Sequence, residues 1–159
     1  MARLSFEDYQ KVQENKESTK GDGVGFLSLK NDGDEALVRI IHDSTDTFDT
    51  VGVHNVKVGD YYKNVSCLRR PGESSDKCPL CASGGKVKYR CFVHMVQYTK
   101  DEQGNITARP VVWERAAKEM TQKLTTMLQE YGPLSDCLFK IRRNGKSGDM
   151  HTTYEIIFA

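Results

Sequence analysis

The 159-residue chain carries 23 Lys and Arg against 22 Asp and Glu, enough sequence for one ordinary core with a small appendage and too little for two full domains. No apolar run approaches the roughly 20 residues of a membrane span, and the start MARLSFEDYQ lacks a signal peptide's apolar stretch, so a cytoplasmic protein without membrane contact is expected. Five cysteines form an odd set, and in a reducing compartment thiols serve as metal ligands or apolar fillers rather than disulfides.

Residues 1–23 are polar and end in ESTKGDG, which reads as a flexible arm with at most a short helix around 5–13. The core is expected over 24–159. Residues 36–41 (ALVRII) and 47–56 have the pattern of two strands joined by the polar turn HDSTD; this places His42 on the surface, as polar surroundings also place His151. An insert at about 54–85 is loop-rich, punctuated by Pro71, Gly72, Pro79, Gly84 and Gly85, with few apolar residues to bury. Residues 86–98 form a long strand candidate, the turn KDEQGN follows, and 106–111 is the next strand. Trp113, Ala117, Met120, Leu124, Met127 or Leu128, and Tyr131 recur at spacings of three and four, which predicts one helix of about five turns over 113–131, with Trp113 packing on its apolar face and Gly132-Pro133 stopping it. Runs 137–143 and 152–158 are strands around the hairpin signal NGKSG. The expected class is mainly β: a small closed or partly closed barrel, the OB-fold first, with one helix and a metal-stapled loop. Another zinc-bearing α+β topology is the alternative.

His54, Cys67, Cys78 and Cys81 supply four soft or borderline donors, the last two in a CPLC knuckle. Thiolate and imidazole suit Zn²⁺, and structural zinc sites are closed by four such ligands. One structural zinc ion would give the insert the folding free energy that its few apolar residues do not. Cys91 and His94 are also spaced for chelation, and Cys91 in place of His54 would make a four-cysteine set. Cys91 falls inside an apolar strand, where a thiol behaves as a small hydrophobe, so His54 is preferred and Cys137 is assigned to the core for the same reason.

The net charge of +1 conceals an uneven distribution: residues 1–50 hold six basic and eleven acidic side chains, residues 51–159 seventeen and eleven. In the basic part, Lys57, Lys63, Arg69, Arg70, Lys86, Lys88, Arg90, Lys140, Arg142, Arg143 and Lys146 are interleaved with Tyr61, Tyr62, Tyr89, Phe92 and Tyr98. Phosphates require positive charge and unstacked bases require flat faces, so this mixture suits single-stranded nucleic acid. Solvated surface charge beside ordinary core rings is the plain reading of the same composition. Tyr89 and Phe92 point to opposite faces of one strand, so at most one of them faces a ligand and the other is assigned to the core. Lys140, Arg142 and Arg143 fit either a binding strand or a solvated edge strand.

The runs EALVRII, VGVHNVKV, YYKNVSC and SSDKCPLC, in that order, resemble the core of the T-even bacteriophage single-stranded DNA-binding, or helix-destabilising, proteins. In that family a strand is followed by a histidine, a lone cysteine and a CPxC knuckle that together hold one structural zinc, and His54, Cys67, Cys78 and Cys81 fall on those places. Over roughly 35–158 the resemblance implies an OB-fold whose cleft binds single-stranded DNA with little sequence preference in phage replication, recombination and repair, in the cytoplasm of an infected bacterium. It also implies partners among phage replication and recombination proteins and cooperative self-association on DNA. The basic N-terminal motif that serves cooperativity in the family has only KESTK (16–20) as a counterpart, and the sequence given ends in YEIIFA without the family's acidic tail.

An enzyme is not expected. Four ligands leave zinc no open position for water, and the chain has no GKS/T phosphate loop, HExH pair or deaminase pattern. A zinc-ribbon module that binds protein or duplex DNA is the alternative function.

Overall fold

In EALVRI, Ala36, Val38 and Ile40 are buried while the intervening side chains turn to the other face, the period of two that defines a strand. Glu35–Ile40 is accordingly strand β2 of the computed structural model, which describes residues 5–8, 10–11 and 24–159. Gly25–Phe26 is β1; after β2 come β3 (Asp49–Val58), β4 (Tyr61–Ser66), a one-turn helix α1 (Pro79–Ala82), β5 (Lys88–Lys100), β6 (Ile106–Ala116), α2 (Ala117–Tyr131), β7 (Phe139–Asn144) and β8 (Thr153–Phe158). The protein is mainly β. Its sheet runs β1-β6-β5-β2-β7-β8, with β3 on β5 and β4 on β3. Every pairing is antiparallel except β1 on β6.

Strand β5 organises the sheet. Along one edge it pairs with β6 from Arg90↔Ala116 to Lys100↔Ile106. Its other edge is divided, the first half taking β3 from Lys88 to Phe92 and the second taking β2 from Met95 to Tyr98. Cys91, Val93 and Met95 point from β5 into the core, where they meet Val38, Ile40, Trp113, Phe139, Ile141 and the buried stripe Ala117, Met120, Leu124 and Met127 of α2. The sheet path is open between β6 and β8, and side chains reach across: the rings of Trp113 and Tyr154 meet edge-on at 5.3 Å, and the Arg115 guanidinium lies 4.4 Å from the centre of the Tyr154 ring.

The helix begins four residues later than the apolar spacing predicts. Trp113 belongs to β6, which continues to Ala116 because β5 supplies it with an unbroken row of partners. Helix α2 therefore has 15 residues, about four turns rather than five. Trp113 is buried as expected, but from a strand. Within the insert, Tyr61–Ser66 is a strand rather than loop. Gly59 and Asp60 make a two-residue turn between Val58 and Tyr61, with Gly59 at φ 63°, the left-handed conformation that glycine adopts without steric cost. Strand β7 lies between β2 and β8 and is not an edge. In the N-terminal arm, residues 6–8 and 10–11 are helical and Ser5 Oγ accepts the Asp8 N–H at 3.1 Å; the remainder of the arm lies outside the described residues.

His42 is buried, contrary to its polar sequence context. Its Nε2 accepts the His94 N–H at 2.9 Å, its Nδ1 lies 3.0 Å from Thr47 Oγ1, and the ring stacks on Phe48 at 4.0 Å. Thr47 Oγ1 already donates to Ser44 O, so Nδ1–H is the donor and the ring is neutral. Burial, then the neighbouring His94, push the His42 pKa below its ordinary 6.5, against smaller raising effects from Asp49, Thr47 and Asp43. The unfolded chain thus binds the extra proton first, and this contribution to stability is complete above 6.5 and declines as pH falls below it. Urea unfolding over a pH series should show a steeper loss of stability below 6.5 in the native chain than in His42→Gln, whose side chain cannot charge; parallel curves would remove the assignment. His151 is exposed, as expected.

Candidate metal centre and nucleic-acid interface

Three separate pieces of chain build one cluster. Strand β3 carries His54 in its buried half. Cys67 follows β4 directly and is tied back to β3 by its N–H, which donates to Gly52 O at 2.8 Å. Cys78 stands at the N-cap of α1 with Pro79 in the first position, and Cys81 lies one turn on. The chain then reverses tightly: Gly85 N–H donates to Leu80 O at 2.8 Å, and a methyl group at Gly85 would sit 2.7 Å from that oxygen and 3.4 Å from His54 Nδ1. Glycine is required there for the strand leading to β5 to pass so close to the knuckle.

The donor atoms of His54, Cys67, Cys78 and Cys81 all lie within 4.8 Å of one another. His54 Nε2 is 3.5 Å from Cys78 Sγ and 3.4 Å from Cys81 Sγ, and Cys67 Sγ is 3.6 Å from Cys81 Sγ. Metal–sulfur bonds of about 2.3 Å and metal–nitrogen bonds of about 2.0 Å in a tetrahedron put sulfurs about 3.8 Å apart and sulfur and nitrogen about 3.5 Å apart. These three edges match, and the sulfur separation is far outside the roughly 2.05 Å of a disulfide. His54 Nδ1 lies 3.0 Å from Lys86 O, which fixes Nδ1–H as the donor and directs the Nε2 lone pair at the thiols.

The electrostatics fit a cation. Backbone N–H groups of Cys81, Leu68 and Leu80, with His54, lower the Cys78 pKa and favour its thiolate, whereas burial and the neighbouring sulfurs raise that of Cys81. Without a positive ion, a second thiolate beside the first is unfavourable; with one, both are stabilised. His54, Cys78 and Cys81 are buried and Cys67 is half-buried, so the four residues can hold a metal ion largely shielded from water. Cys91 does not join them. It faces the core, where burial raises its pKa, and Cys137 packs against the same core.

Register sorts the side chains predicted to meet nucleic acid. Lys57 stands opposite Tyr62, Val53 opposite Lys88, Val51 opposite Arg90 and Asp49 opposite Phe92, and directly opposed residues share a sheet face. One face therefore carries Tyr62, Lys57, Lys88, Arg90, Phe92 and His94. The other carries Tyr61, Lys63 and Tyr89 together with His54 and the knuckle. Tyr61 and Tyr62 are 64% and 66% exposed, and Tyr89 is half exposed beyond the end of the core, over Gly52. Neither Tyr89 nor Phe92 is a core residue: Phe92 points to the sheet face opposite Cys91 and Val93, and Tyr89, on their side, lies beyond Cys91, where the core ends. Among the described residues, Lys57, Lys63, Arg69, Arg70, Lys86 and Lys88 form no ion pair.

The remaining predicted cations are committed elsewhere. Arg90 pairs with Glu114 at 3.2 Å, while Lys140 and Arg142 both pair with Glu35. Arg143 donates to the carbonyls of Leu29, Gly145 and Lys146, holding two loops together. Tyr98 Oη accepts from Arg39 Nε at 3.2 Å. Strand β7 is not joined to β3 or β4, so Lys140, Arg142 and Arg143 are not part of the Tyr62–Phe92 face.

That face also borders a groove of about 420 Å³ lined by Phe26, Val51, Phe92, Val112, Asp49 and His94, among others. The spacing of 24–26 carries no signal for Phe26, whose position depends on a parallel pairing with β6 some 85 residues away (Phe26↔Val112). Among the described residues no helix is long and apolar enough to cross a membrane. Family models and curated protein sequences were both compared with the chain, and none matches it.

Proposed function

We propose that the chain is a sequence-nonspecific single-stranded DNA-binding protein of the T-even phage type, acting in replication, recombination and repair within the infected cell. In this reading the sheet is an OB-type barrel. Support comes from strand order: β6-β5-β2-β7-β8 with a helix between β6 and β7 is the OB arrangement opened between its third and fifth strands, and Trp113, Arg115 and Tyr154 bridge that opening. The metal is one structural Zn²⁺ held by His54, Cys67, Cys78 and Cys81, which would supply stability alone. Those ligands fix the loop that leads into β5.

The observation that carries the proposal is the sheet face on which exposed Tyr62 and half-buried Phe92 lie among Lys57 and Lys88, neither of which has a carboxylate partner among the described residues. Lysines with no carboxylate partner can neutralise phosphates, and each base stacked on a ring contributes about 1–3 kcal/mol by alanine substitution. A duplex hides its base faces, so only the unpaired strand collects both terms, and transiently opened DNA would be trapped without any chemical step. Arg69 and Arg70, beside Cys67, extend the charge, and Tyr61, Lys63, Lys86 and Tyr89 occupy the knuckle side of the same hairpin. Self-association along DNA and contact with phage replication proteins belong to the proposal through the family resemblance.

Titration of the metal-quantified protein with fluorescent oligo-dT and with a duplex of equal length, at two salt concentrations, tests this. Tighter and salt-sensitive binding of the single strand is expected. Equal binding would instead favour a module that recognises protein or duplex DNA.

A further inference from the structure

The groove beside β1 has a composition that phosphate binding does not explain. Its apolar lining brings Phe26 and Phe92 to one sheet face: Phe26 is opposite Val112, Val112 opposite His94, and Phe92 adjoins His94 at the next position on that face of β5. At about 420 Å³ it falls within the roughly 300–1,000 Å³ typical of small-molecule sites. Its polar end is a carboxylate and an imidazole, with His94 Nε2 3.1 Å from Asp49 Oδ2. Both side chains are well exposed, so the core does not depend on the pair. A carboxylate repels phosphate, which keeps the DNA backbone toward Lys57 and Lys88 and leaves the groove to the base.

We infer that this groove adds a modest base preference to binding that is otherwise indifferent to sequence, accepting from the amino group of one base of the bound strand and so favouring cytosine and the amino-bearing purines over thymine and uracil; the inference rests on the single-strand reading above. With His94 Nε2 paired to Asp49 Oδ2, the second carboxylate oxygen, Asp49 Oδ1, is left as an acceptor among the residues that line the groove. Cytosine presents its N4 amine as a donor, the group that Asp and Glu accept from in base recognition. Thymine and uracil present a carbonyl at the same place, which sets acceptor against acceptor there and leaves N3–H, one ring position along, as their one donor. Phe26 and Phe92 supply stacking that is indifferent to base identity, so discrimination falls to Asp49.

The test uses the full, metal-loaded chain at neutral pH with oligo-dC and oligo-dU of equal length. These differ only along the amino edge, carry the same phosphates and lack thymine's methyl group, so the ratio of their Kd values cancels the salt-dependent term. A preference of about fivefold for oligo-dC is expected, at the low end of what one base-edge hydrogen bond discriminates. Asp49→Ala should bring the ratio to about one. Should that variant melt at lower temperature, the isosteric Asp49→Asn, which can turn an N–H toward the base, should shift the ratio toward oligo-dU. Equal affinity of the native chain for both oligomers, or a preference that survives loss of the Asp49 carboxylate, overturns the inference while leaving single-strand binding intact. Failure to prefer oligo-dT over duplex removes the underlying reading itself.

Discussion

Cys78→Ser is expected to leave the chain without its metal and to lower its melting temperature substantially. The serine oxygen is a poor ligand for a soft or borderline ion, and Cys78 is the sulfur that the backbone N–H groups of Cys81, Leu68 and Leu80 prepare as a thiolate. The insert has little else to hold it. From Leu68 to Lys77 every side chain is exposed or half-buried, the hairpin strand β4 is exposed along its whole length, and α1 is a single turn. Losing the ion removes the tie among β3, the end of β4 and α1, a cost of at least about 3 kcal/mol. For a chain of this size that corresponds to roughly 6–12 °C in Tm. Metal analysis of the purified variant beside a thermal melt checks the result. Cys91→Ser serves as the contrast: it should damage the core yet retain one ion per chain. Full metal content in Cys78→Ser with an unchanged Tm would remove the centre.

The same substitution bears on function through geometry. Gly85 and Val87 carry the chain from the knuckle past His54 and Gly52 into Lys88, the first residue of β5 and a member of the Tyr62–Phe92 face. A loosened knuckle frees that entry, so the metal-depleted protein should bind oligo-dT more weakly even though no ligand residue lies on the proposed binding face.

Local chemistry made the metal centre legible in sequence. CPLC places two sulfurs by itself, cysteine is rare enough that a lone Cys67 just ahead of it stands out, and His54 was preferred over Cys91 because Cys91 falls inside an apolar strand. Strand β2 and the buried stripe of α2 were legible for the same reason, since periodicity is local. What failed was non-local. The boundary at Trp113 depends on the length of β5, and the fate of Arg142 depends on Glu35, 107 residues away in sequence. Burial of His42 depends on a backbone N–H contributed by β5. Basic residues that look equivalent along the chain thus divide into those that a distant carboxylate has claimed and those it has not. The β4 hairpin is the exception: Val58-Gly59-Asp60-Tyr61 is a local turn signal, and it was masked by the glycine- and proline-rich stretch that follows.

That division predicts a pattern of binding defects. Tyr62→Ala and Phe92→Ala should each weaken oligo-dT binding by about 1–3 kcal/mol, roughly 5- to 150-fold, while leaving the dependence of log K on log salt nearly unchanged, because a stacked ring neutralises no phosphate. Lys57→Ala and Lys88→Ala should do the reverse, with modest losses at low salt and a slope reduced by about one for each phosphate left without its lysine. Tyr89→Ala, on the knuckle side, should have a smaller effect than Tyr62→Ala although both rings are exposed. Arg142→Ala should alter neither affinity nor slope, since its guanidinium is already occupied by Glu35; its effect belongs to stability, and for so exposed a pair that effect is small. The separation of slope from affinity is what identifies the face, because a general loss of folded protein would lower affinity in every one of these variants together. If Arg142→Ala and Lys57→Ala reduced the slope alike, the DNA would have to cross β7 as well, and the Tyr62–Phe92 face would not be the binding surface.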